Sequence, residues 1–201
     1  MHEAQAAGFR GLPSSTGGPP NPRAPTLVFL VLPATPVLFG LVLGLVALGI
    51  GGEPSEGVLT SVGTAFGLAG LGTALAEGIH FRAGARHLPA RPQMFGRIVA
   101  VAATIETNVL FALVAAFLLL NQWGELYGGG YGGYIPEAPE ALASIARISS
   151  LYGLLAIIQA WAVVSVRGTG HAWFVRSLIR ASAVQAGAVL LLVYQFLALS
   201  T

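Results

Sequence analysis

From residue 27 onward the chain alternates long apolar runs with short polar stretches. Five runs stand out: Leu27 to Gly51, Val58 to Phe81, Ile98 to Leu120, Leu142 to Val166 and Ser177 to Leu199. Each is long enough, as a helix, to cross a bilayer core of about 30 Å. The pattern therefore predicts five membrane-spanning helices. Residues 1–26, rich in Gly, Pro and Ser and without an apolar period, read as a flexible N-terminal tail. Residues 27–51 are expected to be a first transmembrane helix kinked at Pro33 and Pro36. Its apolar stretch is longer than a signal-peptide core, although a cleaved leader stays open as the alternative.

Polar positions inside these runs are few, which makes each one informative. Glu106 lies near the middle of the third run, and an ionisable group at bilayer depth is a candidate functional site by its cost alone. Glu77 lies in the second run, among Gly63, Gly67, Gly70, Gly72 and Gly78. That density of small residues allows close approach of helix backbones in lipid. The two acids stand fifteen residues before and fourteen after Pro92, so a turn centred there puts them at one depth, roughly 21 Å from it. Carboxylates that face each other at one depth share a proton or hold a cation.

Composition agrees with the pattern. The chain has 201 residues, of which 55% are hydrophobic and 9% charged, with mean hydropathy +0.75, too apolar for a soluble domain. The net charge of +2 comes from ten arginines, with no lysine or aspartate, and is a poor basis for nucleic-acid binding. Arg82, Arg86, Arg91 and Arg97 surround one turn and Arg167 and Arg176 another, while Glu53, Glu56, Glu125, Glu137 and Glu140 occupy the intervening loops. The positive-inside rule then places the basic turns and the N-terminus in the cytoplasm and the C-terminus outside. Arg180, about eight residues above its turn, is expected to snorkel. The absence of cysteine excludes disulfides and thiolate metal sites. No phosphate loop, metal cluster or catalytic triad is present, and no cofactor is expected.

The stretch RPQMFGR (91–97) followed by IETNVLFALVAAFLLL (105–120) resembles the membrane-rotor proteolipid, the c or K subunit, of V/A-type ATPases and ATP synthases. That resemblance implies an all-α membrane protein built of Gly-rich helical hairpins that assemble into a ring. It also implies rotary ion translocation, with Glu106 taking an ion from one half-channel of an Arg-bearing stator subunit and releasing it into another. The basic turns would meet cytoplasmic central-stalk subunits. Any ATP hydrolysis would lie in other subunits, and the expected location is a prokaryotic plasma membrane. Glu106, Glu77, Thr107 and the carbonyl of Thr104 resemble the oxygen set of sodium-binding rings, so Glu106 and Glu77 would be metal ligands if Na⁺ is the coupling ion. However, Leu110, Phe111 and Ala112 stand where the family often has Ile-Tyr-Gly, which removes a tyrosine hydroxyl and favours H⁺.

The last two runs repeat the middle pair. A shift of 79 residues carries Phe95 onto Phe174, Arg97 onto Arg176, Leu113 onto Leu192, Val114 onto Val193, Phe117 onto Phe196 and Leu118 onto Leu197. Glu106 then falls on Gln185, and with a turn three residues shorter Glu77 falls on Gln159. An amide hydrogen-bonds but carries no charge, so the second hairpin is expected to pack without binding a transported ion. The expected organisation is a tail (1–26), a first span (27–51), an ion-binding hairpin (57–121), an extracytoplasmic Gly/Tyr loop (122–141) and a degenerate hairpin (142–200). In that loop Trp123, Tyr127, Tyr131 and Tyr134 suit an interfacial aromatic belt. Two alternatives of other classes remain at this stage: a small transporter or channel with an acidic midplane site, and a non-transporting structural membrane subunit.

Overall fold

A computed structural model describes residues 23–49, 56–128, 138–168 and 170–200. The tail, the acidic loop around Glu53 and the GGYGGY run lie outside the described residues. Among the described residues the elements are helical: α1 (Arg23–Val31), α2 (Thr35–Gly49), α3 (Glu56–Ala85), α4 (Phe95–Gly128), α5 (Ala138–Val164) and α6 (Gly170–Ser200). Five segments are long and apolar enough to cross a membrane: Leu27–Gly49, Val62–Ala85, Pro92–Leu120, Arg147–Val164 and Gly170–Ala198. The protein is an all-α integral membrane protein.

The first span is broken where its prolines demand it. α1 ends at Val31, a 3₁₀ turn covers Leu32–Ala34, and α2 resumes at Thr35, because Pro33 and Pro36 cannot donate to the preceding turn and their rings clash with it. Pro36 is buried against Gly70 of α3, Gly40 lies beside Phe66, and the ring of Phe29 stacks on Phe81 at 4.5 Å. The span thus runs antiparallel to α3, and its N-terminal end lies at the same end of the molecule as the basic turn. Its outer face, including Leu30, Leu41 and Leu48, is exposed, as suits a helix against lipid.

α3 and α4 form one hairpin and α5 and α6 another, with α3 packed most extensively on α5. Glycine makes that contact: a methyl group at Gly72 would run into the backbone of Gly153, and one at Gly153 into the backbone at Leu68. With the backbones so near, dispersion replaces the water-driven term that lipid does not supply. α4 lies against both α5 and α6. At the basic end, Phe81, Met94, Ile98, Val163, Val166 and Trp173 form one cluster, which brings the two hairpin turns side by side.

The expected loop at 122–141 is shorter than its composition indicated. α4 continues through Gly128 and α5 begins at Ala138. Gln122, Glu125 and Leu126 are good helix formers, and a single Gly124 costs a helix only about 1 kcal/mol. Pro139 sits in the first turn of α5, where its missing N–H is no loss.

Candidate ion-binding site

Glu77 is fully buried on α3, and neither carboxylate oxygen has a hydrogen-bond partner. One turn earlier the buried Thr73 hydroxyl is also unpartnered. Glu106, on α4, is only half-buried, and it lies close enough to Glu77 for the two to interact electrostatically. They do not share a depth to the residue. His80 Nε2–H donates to the Ile98 carbonyl at 2.9 Å, and Gly70 lies beside Val109. Glu77 is therefore level with about residue 101 and Glu106 with about Thr73, an offset of one turn or roughly 6 Å. The turn is centred before Pro92, because Gly84, Ala85 and His87 carbonyls accept from residues 87, 88 and 91, and Pro92 only opens the 3₁₀ turn that leads into α4. Helical side chains lean toward their own N-terminus, so in an antiparallel pair Glu77 and Glu106 lean toward one another and close much of that offset.

Thr104 and Thr107 serve the backbone of α4 itself. Thr107 Oγ1 donates to the Thr104 carbonyl at 2.5 Å, and Thr104 Oγ1 donates to the Val101 carbonyl at 2.7 Å. The Thr104 carbonyl also accepts from Gln159 Nε2 at 3.1 Å, so both of its lone pairs are engaged. The structure thus brings Glu77 within electrostatic reach of Glu106, while Thr104 and Thr107 turn their hydroxyls to the backbone of α4, and a residue from the second hairpin reaches the Thr104 carbonyl.

That residue, fully buried Gln159, is the hub of the polar layer. Its Nε2 points to the carbonyls of Thr104 and Ala181, each at 3.1 Å, and to Gln185 Oε1 at 3.2 Å. Its Oε1 accepts from Asn108 Nδ2 at 2.6 Å. The two glutamines that correspond to the two acids are thus in direct contact. Asn108 is not among the residues that sequence reasoning singles out, although a polar side chain two positions after Glu106 in a membrane span is an available signal.

Arg180 lies outside this layer. It donates to the Ala162 carbonyl at 3.3 Å and to Ser165 Oγ at 2.6 Å. Its cation therefore sits at the C-terminal end of α5, where unpaired carbonyls favour positive charge.

Gln185→Leu is expected to lower stability by about 1 kcal/mol or less and to leave transport intact. It removes one hydrogen bond, but Gln185 Nε2 is buried without a partner, so the loss is partly offset. Thermal unfolding of the detergent-solubilised protein, paired with an ion-uptake assay, measures both; complete loss of transport in an assembled variant would contradict an ion-free second hairpin.

Comparison with known proteins bears on the same segment. Residues 60–119 match the family of the ATP synthase C subunit. The A-type ATP synthase subunit K of Methanocaldococcus jannaschii is 32% identical over 101 residues, which cover 50% of this chain and 46% of that protein. The chain thus spans about half the length of the curated relative it matches. No solved structure matches it significantly. The similarity to the family of the ATP synthase C subunit thus lies over residues 60–119, which carry most of α3, the basic turn and α4 as far as Leu119.

Proposed function

We propose that this chain is a rotor-ring subunit of a rotary A-type or V-type ATPase or ATP synthase, with Glu106 as the ion-carrying carboxylate and H⁺ as its ion. The observation that carries the reading is the placement of Glu106. It is a half-buried carboxylate in the family-matched hairpin, at mid-span, beside a second carboxylate that is fully buried. A group that is reached from the side and changes charge at mid-membrane is what lateral ion exchange with a stator requires. Facing lipid, such a group must be neutral, since charge there costs at least about 3 kcal/mol. Glu77 is its partner acid on α3, and Thr104 and Thr107 are its neighbours along α4.

A stator arginine would be the counter-charge to ionised Glu106. The exposed Arg82, Arg86, Arg91 and Arg167, gathered at one end of the molecule, are the surface for a cytoplasmic stalk. The broad apolar faces of α3 and α6, with Leu71, Leu75, Leu190 and Leu197 exposed, are what neighbouring copies in a ring would cover.

Electron microscopy of gently solubilised particles tests the assembly. A closed ring of hairpins is expected. Particles that are uniformly monomers or dimers would remove the rotor reading and return the chain to the class of small transporters or structural subunits.

A further inference from the structure

We propose that the outer seam between α5 and α6, at the basic end, binds one anionic membrane phospholipid, with its phosphate on Arg180 and Arg176 and an acyl chain along Leu154, Ile158 and Trp161. The seam belongs to the second hairpin, outside residues 60–119. It needs only the membrane-spanning fold, whether or not Glu106 carries an ion.

The apolar part of the seam comes from α5. Leu154, Ile158, Trp161 and Ser165 follow one another at spacings of four, three and four residues, which lines them up along one helix face, and all four are exposed. Exposed Leu and Ile are ordinary against lipid. Trp161 is more telling, because an indole 62% exposed in the last turn of α5 marks the level where hydrocarbon meets headgroups.

The polar part comes from α6. Gln159 bonds the Ala181 carbonyl, so Arg180 leaves its helix about level with Trp161. Its stem then runs toward the basic end, where Nη1 donates to Ser165 Oγ at 2.6 Å and to the Ala162 carbonyl at 3.3 Å. Arg176, one turn nearer that end on the same side of α6, is also exposed. Two cations thus cap the apolar line of α5.

Neither cation is neutralised by the protein. Among the described residues Arg176 and Arg180 have no ion-pair partner, α6 has no acidic residue, and the acid of α5 is Glu140, in its first turn at the opposite end. A guanidinium carries five N–H donors in a flat fork. Those on Nε and Nη2 of Arg180 have no acceptor among the described residues. At the edge of hydrocarbon such a group is best satisfied by an anion at its own level, and a phosphate diester presents two oxygens that match the fork. The apolar line below it selects a phosphate that carries an acyl chain over one free in solution.

The test uses the full chain in phosphatidylcholine vesicles and follows Trp161 fluorescence, taken as the emission that Trp161→Phe lacks. Phosphatidylglycerol brominated near the upper end of its acyl chains is the quencher, and phosphatidylcholine brominated at the same carbons is the reference. One arginine near the membrane surface supplies a factor of about five in binding, so phosphatidylglycerol should be preferred about twentyfold. The preference should fall to about fivefold in Arg176→Gln, which removes no hydrogen bond within the protein, and vanish in Arg176→Gln, Arg180→Gln. The charge-matched pair Arg82→Gln, Arg86→Gln should keep it, which general attraction to an anionic surface would not allow. Inorganic phosphate exchanged for chloride at constant ionic strength should leave it unchanged.

Equal quenching by the two lipids would overturn the proposal, as would an undiminished preference in Arg176→Gln or an equal fall in the Arg82, Arg86 pair. Loss of the preference to inorganic phosphate would mean an anion site without a lipid. No quenching by either lipid would mean that protein, such as a second copy of the chain, covers the seam. Each of these results overturns the lipid site and leaves the reading of Glu106 untouched.

Discussion

Glu106→Gln is expected to leave the protein assembled in the membrane and to abolish ion-coupled ATP turnover completely. Glutamine has nearly the shape of glutamic acid and keeps its hydrogen-bonding capacity, but it never ionises. Packing should therefore hardly change, since the side chain is only half-buried. Transport should stop because nothing at that position can alternate between a neutral form that tolerates lipid and a charged form that pairs with an opposing arginine. ATP-driven acidification of proteoliposomes, read beside particle assembly on a sizing column, separates the two effects. Acidification that persists in the variant would place the moving charge elsewhere, with Glu77 the first alternative.

The second large effect is structural and lies at Gly72. Gly72→Leu is expected to cost about 3 kcal/mol or more, at or above the upper end for overpacking, because the obstruction is backbone and not a movable side chain. A Cβ at Gly72 would meet the Cα and carbonyl of Gly153, so α3 and α5 would have to separate along their whole contact. The polar layer depends on that contact, since Gln159 reaches Thr104 and Asn108 only while the hairpins are pressed together. Gly96→Ala is the control: nothing lies near its Cβ position, and alanine should be neutral or slightly stabilising in a helix. Loss of the assembled complex from Gly72→Leu membranes, with Gly96→Ala at normal yield, is the expected pair of results. Equal yields would mean the two hairpins do not pack through their glycines.

Much of the architecture is legible in the sequence because the bilayer leaves few choices. Runs such as Ile98 to Leu120 have one spanning conformation, and Pro33 with Pro36 locates the break in the first span within a turn. The glycines at 70 and 72 announce close packing, but not what lies against them: Gly70 meets Pro36, and Gly72 meets Gly153 of the other hairpin. Periodicity records which residues are small and is silent on which partner uses the space.

The polar layer is legible only in part. Glu77, Glu106, Gln159 and Gln185 stand out because ionisable and amide groups are scarce in apolar runs. Their connections do not, because a hydrogen bond between residues 108 and 159 depends on how two hairpins are pressed together. The depth of the acids departs from the sequence expectation by one turn for a similar reason. Pro92 marks where a helix can begin, whereas the centre of the turn is set by backbone bonds at residues 84–91 that any sequence of moderate polarity can make.

The joining of a charged and an uncharged hairpin in one polypeptide has a further consequence under the rotor reading. Were the two kinds separate molecules, a closed circle of them could form in many compositions, some with carboxylates side by side and some with long gaps. Covalent linkage makes every such circle strictly alternating, so the angular step between successive ions is fixed at two hairpin widths. A revolution then moves one ion per chain, whatever the number of hairpins, and error in counting is prevented before assembly begins.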